Sequence, residues 1–582
     1  MDSQPANQAW EFWIDVGGTF TDCLARRPDG TTAEHKLLSS GVYKGRVGRG
    51  STHEGIVDPR RCADPAGFFE GWHLTLMRVT GPTGEQTIEV VDREVRVAEF
   101  DAGEGRLLLA RAPAQPPEPG MVYELSCGLE APIVGIRRLM GKRLDDELGP
   151  VAVRLGTTRG TNALLERTGA DTALVVTAGF ADLLRIGDQT RPRLFDLRIR
   201  RPRDLYRAVV EIDERIDASG LVLQPLNEGE VCKKLTELRQ DGIETLAICL
   251  LNSYRNADHE RWVERIARDL GFEHVAASSQ LSPLQRIIPR GETAVVDAYL
   301  APVIRAYAAA VGAHLGGASF KLMTSAGGLR DAEKFVAKDS ILSGPAAGVV
   351  GCAHVARTAG FDKAIGFDMG GTSTDVSRFD GRFERRYEME LEDPDTGDQI
   401  RLVAPMLAIE TVAAGGGSIC DFDGIKPIVG PASAGADPGP ACYGRGGPLC
   451  LTDVNLFLGR IPSDALPLPL HPAAVRARLD ALIARIEAAT GRQYTREELG
   501  SGYVAIADAR MAAAIKKISV QRGYPRCRNR RTPSNVIISF EESLLDNLPG
   551  TVERCTSRRE IDLHGFELGR PFDPRVGFRE LV

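Results

Sequence analysis

Around residue 370 the chain reads FDMGGTSTDVS, and around residue 15 it has already read FWIDVGGTFTD. Both stretches follow the scheme Asp-x-Gly-Gly-Thr-x-Thr-Asp, over residues 15–22 and 368–375. Each is preceded by apolar residues, FWI and AIGF, that suit a buried strand. One such turn reads as a β-hairpin in which glycine meets a positive φ. Two near copies with the same aspartates and hydroxyls constrain the fold much more, because a plain hairpin has no use for that polar company twice.

The residue types fit one chemistry. An aspartate ending a buried strand is placed to hold hydrated Mg²⁺, which keeps several waters and takes one or two carboxylates beside phosphate oxygens. Paired glycines let the backbone approach an anion and aim successive N–H groups at it. Threonine hydroxyls add donors. The two turns are therefore expected to grip phosphate from two sides. Other nucleotide and hydrolase signatures are missing from the sequence: there is no G-x-x-x-x-G-K-[ST], no H-E-x-x-H and no G-x-S-x-G. The duplicated turn resembles the actin-like ATPase architecture shared by sugar kinases, acetate kinases and heat-shock chaperones. There, two ribonuclease-H-like lobes each give one phosphate hairpin. The expected fold class is α/β: an actin-like ATPase fold with a small all-β insertion.

A chain of 582 residues is too long for one ordinary domain. Its net charge of −7 argues against a nucleic-acid-binding surface. The 11 cysteines are scattered without a C-x-x-C, which reads as reduced thiols in a cytoplasmic protein. The N-terminal residues lack a basic, then apolar, signal pattern, and no uninterrupted apolar run nears the roughly 18 residues of a membrane span. No membrane association is expected.

Between the turns, residues 45–130 read as short β-runs broken by Gly, Pro and Asp, and strand–helix alternation resumes at 151–187. LGTTRGTNALLER (155–167) reads as a strand running into a helix, with Thr161 a candidate N-cap. Residues 291–316 form a long helical run apart from Pro302. SGPAAGVVG (343–351) reads as a closely packed helix before the second turn. ETVAAGGGSI (410–419) has three consecutive glycines, read as a loop close to ligand, with Gly415 and Gly416 as contacts. In SAGADPGPACYGRGG (433–447), Cys442 has no histidine near it in sequence, which speaks against a nucleophilic thiol. Over 501–521, Val504, Ala507, Met511, Ile515 and Ile518 share one face of a core-facing helix.

Taken together, these runs and VVEIDERI, LSGPAAGV, GADPGPACYGRGGPL, TDVNLFLGR and ISVQRGY resemble the hydantoinase A/oxoprolinase family over residues 12–44 and 133–523. The resemblance implies ATP-dependent opening of a cyclic amide such as 5-oxoproline or a hydantoin-like lactam, by phosphoryl transfer to the amide oxygen. It implies ATP and Mg²⁺ as cofactors, a B-type hydantoinase/oxoprolinase subunit or domain as partner, and an oligomer. Asp15 and Asp368 are carried over as catalytic, Mg²⁺-organising carboxylates. Gly17, Gly18, Thr19, Gly370, Gly371, Thr372 and Ser373 become phosphate contacts, while Thr21, Asp22 and Asp375 brace the hairpins, with Thr21 kept among the cofactor-binding candidates.

The resulting division is as follows: 1–44 opens the N-terminal ATPase lobe, 45–132 is the β-rich insertion, and 133–225 is the rest of the N-terminal region. Residues 226–523 form the hydantoinase A-like ATPase region, and 524–582 a divergent, weakly structured tail. The insertion is one departure from the family pattern. The other is the tail, where PRCRNRRTPSNV replaces a strand and a second glycine-rich turn that helps hold adenosine, as after a frameshift, truncation or fusion. RPRLFDL resembles oxoprolinase-type members more than carboxylase subunits. The competing readings are an ATP-dependent ketone carboxylase subunit and a non-catalytic assembly subunit.

Overall fold

The computed structural model describes residues 9–80, 87–188, 203–392, 399–435, 438–461, 470–519, 536–539 and 554–555. The chain divides into two compact units, each assembled from three segments: 1–18, 149–346 and 385–407, and then 19–148, 347–384 and 408–582. Both mix helices and strands, so the protein is α/β.

In the first unit, Trp10–Val16, Val151–Thr157 and Ser319–Met323 run parallel, and Leu329–Asp331 adds an antiparallel edge. A second sheet is parallel throughout, in the order Ala208–Ile212, Thr172–Thr177, Thr245–Cys249, His274–Ala277. Its strands are apolar on both faces because both faces are covered. Ala173 and Val175 face Leu235, Val263 and Ile266 of the helices Glu228–Gln240 and Asp258–Asp269. Leu174 and Val176 face Ala294, Val295 and Ala298 of the helix Ile287–Gly312. That helix runs through Pro302 without ending. It is long and apolar enough to cross a membrane by composition, yet 67% of its most apolar window is buried inside the protein. Its apolarity is that of a core helix.

In the second unit, Phe20–Arg26 and Thr32–Leu38 pair antiparallel, with Gly30 at φ 84° in the turn between them. Residues 43–126 supply a six-stranded sheet in which all the described pairings are antiparallel. Tyr43, Phe68, Phe69, Trp72 and Phe100 pack there mostly edge to face. A third sheet carries the second glycine turn, in the order Ile409–Val412, Thr374–Asp380, Lys363–Met369, Val536–Ser539, Arg554–Cys555. Its core includes Phe367, Met369 and Val376, with Leu479, Tyr503 and Val504 from the helices Pro472–Thr490 and Arg496–Ile518.

Two expectations change here. The last helix begins at Arg496, well before residue 501, because Thr495 and Glu498 form a capping box. Ile515 is only partly buried at the margin of its apolar face. The tail, expected to be weakly structured, contributes Val536–Ser539 as a parallel neighbour of Lys363–Met369. A short apolar, β-branched run suits a place beside a buried strand. RPRLFDL, Val520–Tyr524 and most of 524–582 lie outside the described residues.

Candidate functional site

The first turn is built where a buried strand ends. Phe12, Ile14 and Val16 point into the core, which leaves Asp15 on the other face at the strand's C-terminal end. Asp15 pairs in register with Gly156. A Cβ on Gly156 would lie 3.4 Å from Asp15 Oδ1, and one on Gly344 would lie 3.2 Å from it. Both glycines thus make room for this carboxylate. Ser343 Oγ donates to Thr157 O at 2.9 Å, and Thr158 N donates to Val16 O at 3.0 Å. Three separate sequence runs, DVGG, GTTRGTN and LSGP, therefore meet around Asp15 in the first unit. Gly18 faces Asn162, whose Nδ2 would be 3.6 Å from an added Cβ.

The candidate cap Thr161 is placed differently from the sequence expectation. The helix Arg159–Leu165 starts after Thr158, and the Thr161 hydroxyl, inside that helix, accepts from Leu342 N at 3.1 Å. Its role is to tie the GTTRGTN run to the LSGP run.

In the second unit, the hydroxyl of Thr21 is buried against Ser39 Oγ at 3.0 Å, and Ser39 N donates to Thr19 O at 2.9 Å. Thr21 braces its hairpin. Asp22 binds Lys36 through both oxygens at 2.9 Å. Asp368 stands directly across the ladder from Asp375, so the two carboxylates share a face. Burial raises the Asp368 carboxyl above its usual range and Asp22 raises it further, while Lys36 pulls it back. Burial likewise pushes Asp375 up to about 6, against a 2.6 Å hydrogen bond from Thr411 Oγ1 and with Asp368 adding to the rise. The negative charges of Asp22, Asp368 and Asp375 are felt together. An added Cβ on Gly348 would be 3.7 Å from Asp368 Oδ2, the relation Gly344 has to Asp15.

Residues 370–373 close on a Gly370 N to Ser373 O bond of 2.9 Å. None of Gly17, Gly18, Gly370 and Gly371 has a positive φ. Turn conformation is therefore not why glycine stands there. A Cβ on Gly371 would meet nothing within 4 Å. Among the described residues, no hydrogen bond takes the N–H of Gly371 or Thr372. This open backbone, with two free donors, fits a phosphate. Asp15 in the first unit and Asp368 in the second each stand at the end of a buried strand with a glycine beside the carboxylate, and each by itself suits a cation that keeps most of its waters. Among the described residues no three His, Cys, Asp or Glu side chains form a protein-only metal cage.

In the triple glycine, read from the sequence as a loop close to ligand with Gly415 and Gly416 as contacts, the backbone N–H groups have partners within the protein. Gly415 N donates to Ser418 Oγ at 2.9 Å, Gly416 N to Gly370 O at 3.0 Å and Gly417 N to Gly371 O at 2.6 Å. Those donors are already engaged. Cys442 is fully buried, and burial holds its thiol far above the usual range, with Asp453 adding to the rise. Sequence reasoning missed Gly344, Gly348, Gly417 and Thr452. The four-residue spacing of Gly344 and Gly348, which puts them on one helix face, was the readable signal.

Residues 290–531 match the hydantoinase/oxoprolinase family, and residues 118–271 match the hydantoinase/oxoprolinase N-terminal region. The chain is 39% identical over 442 residues to 5-oxoprolinase 1 of Arabidopsis thaliana, covering 68% of this chain and 34% of that protein. It is 40% identical over 451 residues to the 5-oxoprolinase of Saccharomyces cerevisiae, with the same coverage. To the caprolactamase subunit alpha of Pseudomonas jessenii it is 32% identical, over 63% of this chain and 54% of that one. The chain thus spans about a third of the length of the 5-oxoprolinases it matches. Among solved structures, a nucleotide-free acetone carboxylase superposes with a TM-score of 0.62 at 20% identity, covering 91% of this chain and 65% of that one. The ATP-dependent caprolactamase of Pseudomonas jessenii does so with a TM-score of 0.59 at 25% identity and the same coverage. With two adjoining family matches over most of its length and the Asp-x-Gly-Gly-Thr turns in place, the chain belongs to the hydantoinase/oxoprolinase family.

Proposed function

We propose that this chain is the ATP-using part of an enzyme that opens a cyclic amide, 5-oxoproline or a related lactam, and that it works with a B-type partner. The observation that carries this reading is the second turn: glycine with no conformational need for it, open space over Gly371, and two unengaged N–H donors. In this reading the fold is actin-like and each Asp-x-Gly-Gly-Thr turn is a phosphate hairpin. Gly17, Gly18, Thr19, Gly371, Thr372 and Ser373 contact phosphate. Gly370, Gly415 and Gly416 shape the second turn.

Asp15 and Asp368 are the carboxylates that would organise Mg²⁺, whose contribution is to neutralise phosphate charge. The chain's own residues position the phosphates and hold them away from water. An amide resists water because resonance makes its carbon a poor electrophile. When the amide oxygen attacks the γ-phosphorus, the bond to the ADP oxygen breaks. Water then adds at the activated ring carbon, the C–N bond of the adduct breaks as the ring nitrogen takes up a proton, and a second water hydrolyses the resulting acyl phosphate to carboxylate and phosphate. The similarity to 5-oxoprolinases at 39–40% identity favours a lactam over a ketone.

The test has two stages. Titration calorimetry of the full chain with ATP·Mg²⁺ is expected to show one binding site. ATP hydrolysis with a B-type subunit is then expected to depend on 5-oxoproline. A folded chain that binds no ATP·Mg²⁺, or hydrolysis that needs bicarbonate and a ketone instead, overturns the reading.

A further inference from the structure

We infer that the loop Ala414–Ser418, clamped by Thr452, is a positioning device that fixes the direction of the phosphate-facing N–H groups in the second turn. The inference rests on the proposed function for its ligand, but its geometry stands in the protein alone.

Every backbone N–H and C=O of the three glycines is engaged. On one side, Gly416 N and Gly417 N donate to Gly370 O and Gly371 O. On the other, Gly416 O accepts from Thr452 N at 2.8 Å and from Thr452 Oγ1 at 2.9 Å. Gly417 O accepts from Ala434 N at 2.9 Å, and Ala414 O accepts from Thr374 Oγ1 at 2.6 Å. Gly415 N is held by Ser418 Oγ, and Ser418 N returns to Gly415 O at 3.0 Å. The loop therefore has no slack.

The consequence follows from peptide planarity. In a trans peptide the C=O of one residue and the N–H of the next point in opposite directions. The carbonyls of Gly370 and Gly371 are held toward the loop, so the N–H groups of Gly371 and Thr372 must point away from it. Among the described residues, nothing engages these two donors. The brace thus aims them before any ligand arrives, and no reorganisation is left for the moment of binding.

The same contacts explain three consecutive glycines. None has a positive φ. A Cβ on Gly415 would lie 2.6 Å from Gly370 O and 2.8 Å from Gly371 C, and one on Gly417 would lie 2.9 Å from Gly371 O and from Ser433 Oγ. One on Gly416 would lie 2.7 Å from Thr452 Oγ1. Glycine is there for close approach of one backbone to another.

The test combines amide hydrogen exchange in the free full-length protein with binding of ATP·Mg²⁺ and of inorganic triphosphate with Mg²⁺. In the wild type, the amides of Gly416 and Gly417 are expected to exchange at least a hundredfold more slowly than those of Gly371 and Thr372. Thr452→Val is expected to speed exchange at Gly416 and Gly417 about tenfold. It should weaken ATP and triphosphate by the same three- to tenfold factor, because only phosphate contacts are misaimed. Thr452→Ser should restore both. Gly417→Ala should weaken both ligands at least tenfold; if that variant does not fold, the Thr452 pair decides. Fast exchange at Gly416 and Gly417 in the wild type overturns the inference. So does binding by Thr452→Val and Gly417→Ala within twofold of wild type. A wild type that binds neither ligand overturns the proposed function instead, and the exchange comparison still decides the brace.

Discussion

Replacing Asp453 is the sharpest probe of how this site is held. The side chain is fully buried, and its carboxylate accepts from three backbone N–H groups: Cys442 at 2.7 Å, Cys450 at 2.8 Å and Ala441 at 2.9 Å. It fastens the Pro/Gly loop of residues 433–447 to the start of the helix Leu451–Phe457, one residue from the clamp Thr452. Asp453→Ala leaves three buried donors without partners, at about 1–3 kcal/mol each. Part of that loss is offset, because burial raises the Asp453 carboxyl despite the Cys442 thiol and the backbone donors that pull it back. Removing a desolvated acid relieves that cost. A net loss of about 4 kcal/mol of local stability follows, or about a thousandfold faster exchange of amides opened by local unfolding. Asp453→Asn can keep its oxygen at the Oδ2 position, which serves both Ala441 and Cys450. It orphans one donor, so about 2 kcal/mol and about thirtyfold are expected. The assay is exchange of peptides covering 438–460, read by mass spectrometry. Exchange within threefold of wild type in the alanine variant, or an asparagine variant as impaired as alanine, would refute this account of the carboxylate.

Other consequences can be checked independently. Burial pushes Asp297 up to about 6, against the backbone bond from Lys338 N at 2.8 Å, with Lys338, Asp339 and Arg305 as its charged neighbours. Its folded-state value lies above the unfolded one, so the folded state binds the extra proton and stability falls as pH rises from about 4 to about 6. Asp297→Asn should remove about 2–3 kcal/mol of that fall, measured by urea unfolding at pH 4.5 and 7; an unchanged pH dependence contradicts it. Val536–Ser539 has neighbours on both sides, so Ile537→Pro deletes a ladder hydrogen bond at a cost of about 3 kcal/mol. It should raise exchange in Lys363–Met369, and no change there would mean that the tail strand does not support the second turn. Cys62 is exposed whereas Cys442 is buried with a raised thiol, so iodoacetamide should label Cys62 in the native protein and Cys442 only after unfolding. Rapid native labelling of Cys442 would reopen the case for a reactive thiol.

The parts of the site that could be read from the sequence are those set by local pattern. An apolar run ending at Asp15 or Asp368 and followed by two glycines fixes a strand, its end and the carboxylate placed there within a few residues. The capping box at Thr495 and Glu498, which starts the last helix, is equally local. What could not be read depends on partners far away in the chain. Which of three threonines in TTRGT caps a helix is decided by Leu342, 181 residues on, which takes the Thr161 hydroxyl for another purpose. The long helix survives Pro302 because its faces are buried, and tertiary packing outweighs a local breaker. The brace of the second turn joins residues 370–371, 414–418 and 452, and no window of sequence contains all three.

Glycine is the residue that most misleads a purely local reading here. The habitual reason for glycine in a turn is a positive φ, and none of the four turn glycines has one. Space is the remaining reason, and it is used in three ways. At Gly156, Gly344 and Gly348 the space admits a carboxylate, and at Gly415 and Gly417 it admits a neighbouring backbone. At Gly371 nothing among the described residues enters it. Among the described residues, the gaps at Gly156, Gly344, Gly348, Gly415, Gly416 and Gly417 are filled from within and the one at Gly371, beside two N–H groups with no partner, is not, which fits the phosphate proposed for it.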